Sequence, residues 1–240
     1  MAGPLEQFEI KPIVPIRVGD LDLSFTNSSL FMVIAVVVIT TFLVTSMRGR
    51  ALVPTRLQSM AEMSYEVIAN MIRDNVGMDG RRYFPFVFSL FMFVLVGNLL
   101  GLIPGAFTFT SHIIVTFGLA AVIFIGTTVI GIARHGTHFL QLFFPPGAPL
   151  WTAIILVPVE LVSYLSRPVS LSVRLFANMT VGHVILKVIA GFVALLGVFG
   201  VLPILGLVAI TGLEFMIAII QAYVFAILTC VYLHDALHLH

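Results

Sequence analysis

The residues able to exchange or hold charge are concentrated in the C-terminal part of the chain, inside long apolar stretches: Glu160, Arg167, Arg174, His183, Lys187, Glu214 and Asp235. A charge at the centre of a bilayer costs about 2.5 kcal/mol or more, so such residues are rare there and usually mark an ion or proton route. The earlier apolar stretches contain no Asp, Glu, Lys or Arg. Glu160, Arg167 and Arg174 are seven residues apart and share one face of a regular helix, with Ser170 and Asn178 four residues either side of Arg174. Glu214, Gln221 and Asp235 form a second stripe. If the two stripes belong to antiparallel neighbours with Arg174 opposite Gln221, Glu160 and Asp235 fall together toward one surface and His183 and Glu214 toward the other. The pattern is a central arginine with a proton-exchanging group on each side. His183 is nine residues from Arg174, half a revolution of a straight helix. Either the helix curves, or His183 lines a cleft behind the arginine stripe.

Each of these residues also has a structural reading. Arg167 can snorkel or neutralise Glu160, and Lys187, off the stripe, can snorkel. Asn178 and Gln221 can join helices by hydrogen bonds. Arg174 has no in-chain partner at its own level, which suggests a partner on another protein. The ending HDALHLH contains metal-binding residue types, but nothing fixes ligand geometry, so a solvated tail and no metal site are expected.

The elements that must position these groups follow from the hydropathy pattern. Residues 1–28 precede any apolar run and lack the n- and h-regions of a signal peptide. Residues 29–47, 84–103 and 112–133 are each about long enough for one crossing. Residues 54–77 differ: Glu62, Glu66, Arg73 and Asp74 alternate with Leu57, Met60, Met63, Val67, Ile68 and Met71 at spacings of three and four. That is an amphipathic helix, lying on the membrane surface or packed on a partner protein. Pro145, Pro146 and Pro149 then punctuate the chain before two long runs, 148–199 and 202–234, joined at Gly200–Pro203. Arg48 to Arg82 and Arg134 read as inside and the 104–111 turn as outside, which leaves the N-terminus outside.

Composition excludes other classes. Of 240 residues 60% are hydrophobic and 10% charged, and the mean hydropathy is +1.13. An ordinary soluble domain is roughly 25% charged, and disorder requires low hydrophobicity. The net charge of +1 carries no basic excess for nucleic acid. The single Cys230 can form no internal disulfide and reads as a small buried hydrophobe.

The block Ser170-Leu-Ser-Val-Arg174-Leu-Phe-Ala-Asn178-Met-Thr-Val-Gly-His183 resembles subunit a of the F-type ATP synthase. Glu214-Phe-Met-Ile-Ala-Ile-Ile-Gln221-Ala-Tyr223 resembles that family's last helix, and Tyr232-Leu-His-Asp235 its ending. The resemblance implies an all-α integral membrane protein with three near-perpendicular spans, one amphipathic surface helix and a C-terminal hairpin of two long, strongly tilted helices. By the same resemblance Arg174 faces the carboxylate on each subunit of a rotating c-ring. Glu214 and His183 form the outer half-channel, with Asn178 and Gln221 around the arginine. The acid and the histidine are exchanged relative to many bacterial members, as in the branch close to mitochondria. Glu160, Ser170 and Asp235 match the inner half-channel. The implied role is a stator subunit that moves H+ without a cofactor or catalytic site of its own, beside the c-ring, b-type peripheral-stalk subunits and lipid. No nucleotide is expected to bind, because GxxxxGK[ST] is absent. The unsplit, leaderless chain points to a bacterial inner membrane rather than a mitochondrial one. The alternatives are a self-contained proton-coupled transporter, although no repeat relates the two halves, or a structural anchor, which would leave the charges of the last two helices without purpose.

Overall fold

The computed structural model describes residues 9–15, 17–18, 21–22, 24–48, 53–103, 105–136, 138–139, 152–196 and 200–238. Pro145, Pro146, Pro149 and the start of the 148–199 run lie outside the described residues, as do Arg50 and Pro104. Among the described residues six α-helices follow one another: α1 (Asn27–Met47), α2 (Arg56–Asn75), α3 (Phe84–Gly101), α4 (Ile113–His135), α5 (Ala153–Leu196) and α6 (Val201–Leu237). All but α2 are long and apolar enough to cross a membrane. The chain is an all-α membrane protein. A small addition, not anticipated from the sequence, is a pair of two-stranded antiparallel ladders before α1, Pro12–Val14 with Phe25–Thr26 and Arg17–Val18 with Leu21–Asp22.

The core lies where α3, α4, α5 and α6 meet. Val87, Phe91 and Val94 of α3 pack with Ile123 of α4, Leu171 and Leu175 of α5, and Phe225 of α6. On α6 the inward face is Ala218, Ala222, Ala226 and Cys230, four residues apart and fully buried. Small residues at this spacing let helix backbones approach closely where lipid offers no hydrophobic drive to association. Cys230 is thus the buried small hydrophobe expected of it.

The apolar residues of α2 divide between two faces. Ile68 and Met71, with Ile72, join the core, whereas Leu57, Met60 and Met63 are more than half exposed. Part of the amphipathic stripe therefore seals the chain's own bundle, and the rest points away from it. Thr55 caps the helix, its hydroxyl accepting the Gln58 N–H at 3.4 Å.

Two sets of contacts sort the ends of the bundle. At one end Arg134 at the close of α4 bonds Asp79 at 2.7 Å, in the short helical turn (Met78–Tyr83) that leads into α3. There too the His135 Nε2–H donates to the Leu237 carbonyl at 3.2 Å. Residues 234–237, expected as a solvated tail, are instead the last turn of α6, because Ala236 and Leu237 are buried and the carbonyl end has this side-chain donor. The opposite end is closed by the α3–α4 loop, whose Phe109 is fully buried against Gly97. A Cβ at Gly97 would collide with Phe109 Cζ and stand 3.1 and 3.2 Å from its Cε2 and Cε1.

Gly97→Val is therefore expected to overpack this joint, at a cost of about 1–3 kcal/mol. The purified protein should melt earlier in detergent, and Phe109→Leu in the same chain should recover part of the loss. An unchanged melting temperature in Gly97→Val would contradict the packing.

Candidate functional site

α5 and α6 run antiparallel; two polar junctions join them, and at a third level Glu214 of α6 packs against Gly182 of α5. At the middle, Asn178 Nδ2 donates to Gln221 Oε1 at 2.8 Å. Arg174 occupies the midpoint of α5, one turn from Asn178. It is exposed and has no hydrogen bond or ion pair among the described residues. Ser170, Arg174 and Asn178 lie on one exposed strip with Val173, Val181 and Ile185, so the charge stands on an otherwise apolar outward face. The neighbouring face of α6 is also uncovered, through Phe215, Ile219, Ile220 and Tyr223.

Toward the Arg134 end, Arg167 Nη1 donates to Asp235 Oδ2 at 2.7 Å. The guanidinium carbon is 5.4 Å from the Tyr164 ring centroid and 5.3 Å from that of Tyr232. Two ring faces and a carboxylate suit a planar cation that is only partly hydrated. Tyr164 is fixed in turn by a 2.6 Å hydrogen bond to Thr128 of α4. Beside the pair is a cavity of ≈ 10 Å³ lined by Thr127, Tyr164, Arg167, Tyr232 and Asp235, room for about one water. This arrangement corrects one expectation: Arg167 neutralises Asp235 across the helix pair, not Glu160 along its own helix. Glu160 is half-buried and, like the exposed Ser170, makes no hydrogen bond or ion pair among the described residues.

Toward the loop end, Glu214 is buried at 6% exposure, and neither carboxyl oxygen has a hydrogen-bond partner. Its carboxyl group lies against the backbone of Gly182, where a Cβ would collide with Oε1 and stand 2.9 Å from Cδ. The next residue, His183, points to the α3–α4 loop, its Nε2 3.1 Å from Thr108 Oγ1. His183, half a turn from Arg174, thus faces the α3–α4 loop and not the arginine strip. Glu214 and His183, drawn together from two helices, share this region with Thr108, Thr110, Ser111 and His112. Thr110 Oγ1 and His112 Nε2 are buried without a partner. Deeper, buried Asn98 donates to the Ala218 carbonyl at 3.4 Å, with its Oδ1 unmatched, and Gln221 Nε2 is unmatched too. Unpaired buried polar atoms are costly, and polar groups of this kind are suited to bound water.

Thr108, Gly182, Tyr164 and Tyr232 were not singled out by spacing. A glycine directly before the histidine was the available signal for close approach of a neighbouring helix. The run Thr108-Phe-Thr-Ser-His112, polar in an otherwise apolar chain, was the signal for the loop.

Comparison with known proteins gives a consistent answer. The family profile described as ATP synthase A chain matches residues 29–234. The chain is 64% identical over 247 residues to ATP synthase subunit a of Paramagnetospirillum magneticum, covering 100% of both chains. It is 60% identical over 241 residues to ATP synthase subunit a of Rhodospirillum rubrum, again covering 100% of both. The protein of that name from Mesorhizobium japonicum is 57% identical over 243 residues, which cover 98% of this chain and 96% of the relative.

The Gly182–Glu214 contact is open to a size test. Gly182→Ala should displace the carboxyl group and destabilise the purified protein by about 1–3 kcal/mol. Glu214→Asp, one methylene shorter, should recover much of this when combined with it. Full stability of Gly182→Ala alone would mean that the carboxyl group lies elsewhere.

Proposed function

The chain belongs to the ATP synthase A chain family, and from that premise we propose that it is the stationary proton-translocating subunit of the membrane sector of a rotary ATP synthase in a bacterial inner membrane. The proposal includes two offset half-channels that meet at Arg174. The observation that carries it is Arg174 itself: a permanent cation at the midpoint of a membrane-crossing helix, on an uncovered apolar face, with no hydrogen bond or ion pair among the described residues. A guanidinium in that position is stabilised by a carboxylate brought to it from outside the chain. A ring of c subunits, each bearing one carboxylate, fits this need.

The proton route follows from the two ends. On the outer side, protons reach Glu214 and His183 beside the α3–α4 loop; an imidazole is suited to relay them. The relay delivers a proton to a c-ring carboxylate, and the neutralised group can then move into lipid at far lower cost. After nearly a full rotation the group meets the inner side and releases its proton near Glu160 and Asp235, with the Ser170 hydroxyl available as a hydrogen-bonding group on the way. Arg174 favours the ionised carboxylate and so promotes release, and its fixed charge repels a proton moving straight between the half-channels. Asn178 and Gln221, bonded to each other, hold the two helices together at this level. A membrane potential supplies about 2.3 kcal/mol per charge per 100 mV, so the Arg174–carboxylate attraction must be broken at each step by a drive of that order.

The sorting of the bundle's ends supports the assigned sides. Arg81, Arg82 and Arg134 are on the side of Asp235, where positive residues are expected to face the cytoplasm. The uncharged loop is on the side of Glu214 and His183. At 44 residues α5 is about 66 Å long, against a hydrocarbon core of about 30 Å, which supports a strongly tilted α5–α6 hairpin along the rotor. The proposed partners are the c-ring, b-type stalk subunits and lipid; nucleotide chemistry belongs to other subunits.

Arg174→Ala is expected to abolish ATP synthesis by the assembled complex, and Glu214→Gln to slow proton flux by about a hundredfold, the lower range for loss of a proton-transfer group. Both are read in inverted membrane vesicles. Normal ATP yield from an assembled Arg174→Ala complex would overturn the proposal.

A further inference from the structure

We propose that Thr108, in the α3–α4 loop, is a positioning residue that holds His183 with its proton on Nε2, so that Nδ1 is the nitrogen that exchanges protons in the relay. The inference rests on the proposed function for its consequence, but on the geometry of the loop for its content.

Hydrogen-bond stoichiometry decides the direction of the bond. Thr108 Oγ1 is 3.4 Å from the Gly101 carbonyl oxygen and 3.1 Å from His183 Nε2. Gly101 is the last residue of α3, so its carbonyl lies beyond the helical ladder. No backbone N–H among the described residues reaches it. A carbonyl only accepts, and a buried one left unmet is costly. The single hydroxyl proton of Thr108 therefore goes to Gly101, and the hydroxyl oxygen can only accept from His183. The ring nitrogen facing Thr108 must then carry a hydrogen, and the neutral ring is the Nε2–H tautomer. A partner on one ring nitrogen fixes the role of the other in this way.

The placement of Thr108 is itself determined. Its side chain sits against the bare Cα of Gly101; a Cβ there would stand 2.6 Å from Thr108 Cγ2 and 2.7 Å from Oγ1. The Ser111 hydroxyl donates to the Thr108 carbonyl at 2.6 Å. The Thr180 hydroxyl donates to the Ser111 carbonyl at 3.3 Å. Positions 180 and 183 of α5, three apart and on one face, therefore grip positions 111 and 108 of the loop. The groups facing this region from the other elements are Glu214 of α6, next to Gly182; Lys187 of α5, within electrostatic reach of His183; and His112 at the head of α4, stacked on Phe107 at 5.0 Å. The Glu214 carboxyl oxygens and His112 Nε2 make no hydrogen bond among the described residues, and the Lys187 ammonium only donates.

The test is made on the assembled complex, labelled with 15N-histidine. Nitrogen NMR at alkaline pH, where the ring is neutral, reads the His183 tautomer, with the signal assigned by its loss in His183→Gln. Passive proton flux through vesicles stripped of the catalytic sector is measured against outer pH in parallel. The wild type should carry its proton on Nε2. Thr108→Val should lose that preference, lower flux about two- to tenfold, the population change one net hydrogen bond supports, and shift the pH midpoint. Thr108→Ser should restore both, and Gly101→Ala, which displaces Thr108, should reproduce the valine variant. Wild-type His183 protonated on Nδ1 overturns the proposal without any variant. So does a Thr108→Val complex with unchanged tautomer and pH profile. The tautomer is read without proton flux, so a failure of Arg174→Ala and Glu214→Gln to impair flux would remove the functional reading and leave this measurement to stand or fall by itself.

Discussion

A guanidinium is charged at every accessible pH, and in the middle of a membrane it must be paired, hydrated or displaced to a surface. Arg174 is at the midpoint of α5 and cannot reach either end of the helix. Among the described residues no carboxylate pairs with it: Asp235 is taken by Arg167 and Glu214 is turned inward against Gly182. The rest of the architecture is consistent with leaving this charge for a moving partner. The alanine stripe of α6 draws the helices together behind it. The Asn178–Gln221 bond holds them in register beside it, and the face in front is left uncovered.

The two arginines of α5 illustrate how surroundings separate function from structure. Arg167 lies between two tyrosine rings and bonded to a carboxylate, with its side chain 23% exposed. Removing one partner of such a junction leaves the other charge uncompensated in a poorly solvated place. Arg174, one heptad on, has none of these contacts. The same residue type is thus a clamp between α5 and α6 in one position and an exposed, unbonded cation in the other. Toward the loop end from Arg174, polar atoms of Glu214, Thr110, His112, Asn98 and Gln221 are buried and unmatched. The two ends of the α5–α6 pair thus differ in character, with unmatched polar groups toward the loop and an ion pair toward Arg134.

Periodicity along single helices made much of this legible. Seven-residue spacing placed Arg174, Ser170 and Asn178 on one strip, and the half-turn offset of His183 already required a cleft or a curve. What periodicity cannot supply is the partner across a helix pair, which depends on crossing angle and register. Hence Asp235 meets Arg167, not the level of Glu160, and Gln221 is opposite Asn178, one turn from Arg174. The loop residues were hidden for a related reason: Thr108 and His183 are 75 positions apart, and only the α3–α4 joint, set by Phe109 against Gly97, brings them together. The amphipathic pattern of α2 gave the helix but not the division of its apolar residues between core and exterior, because hydropathy alone does not say which surface each one covers.

The central claim, that the Arg174 face is the surface against which the rotor carboxylates pass, is tested most directly by cysteine cross-linking. A cysteine at Asn178, in a Cys230→Ser background, is paired with cysteines flanking the c-ring carboxylate in the assembled complex. A cross-link should form readily and block ATP-driven proton pumping until it is reduced. An assembled, active complex that forms no cross-link at Asn178 or at its stripe neighbours Ser170 and Val181 would contradict it, and would favour a transporter that works without a rotor.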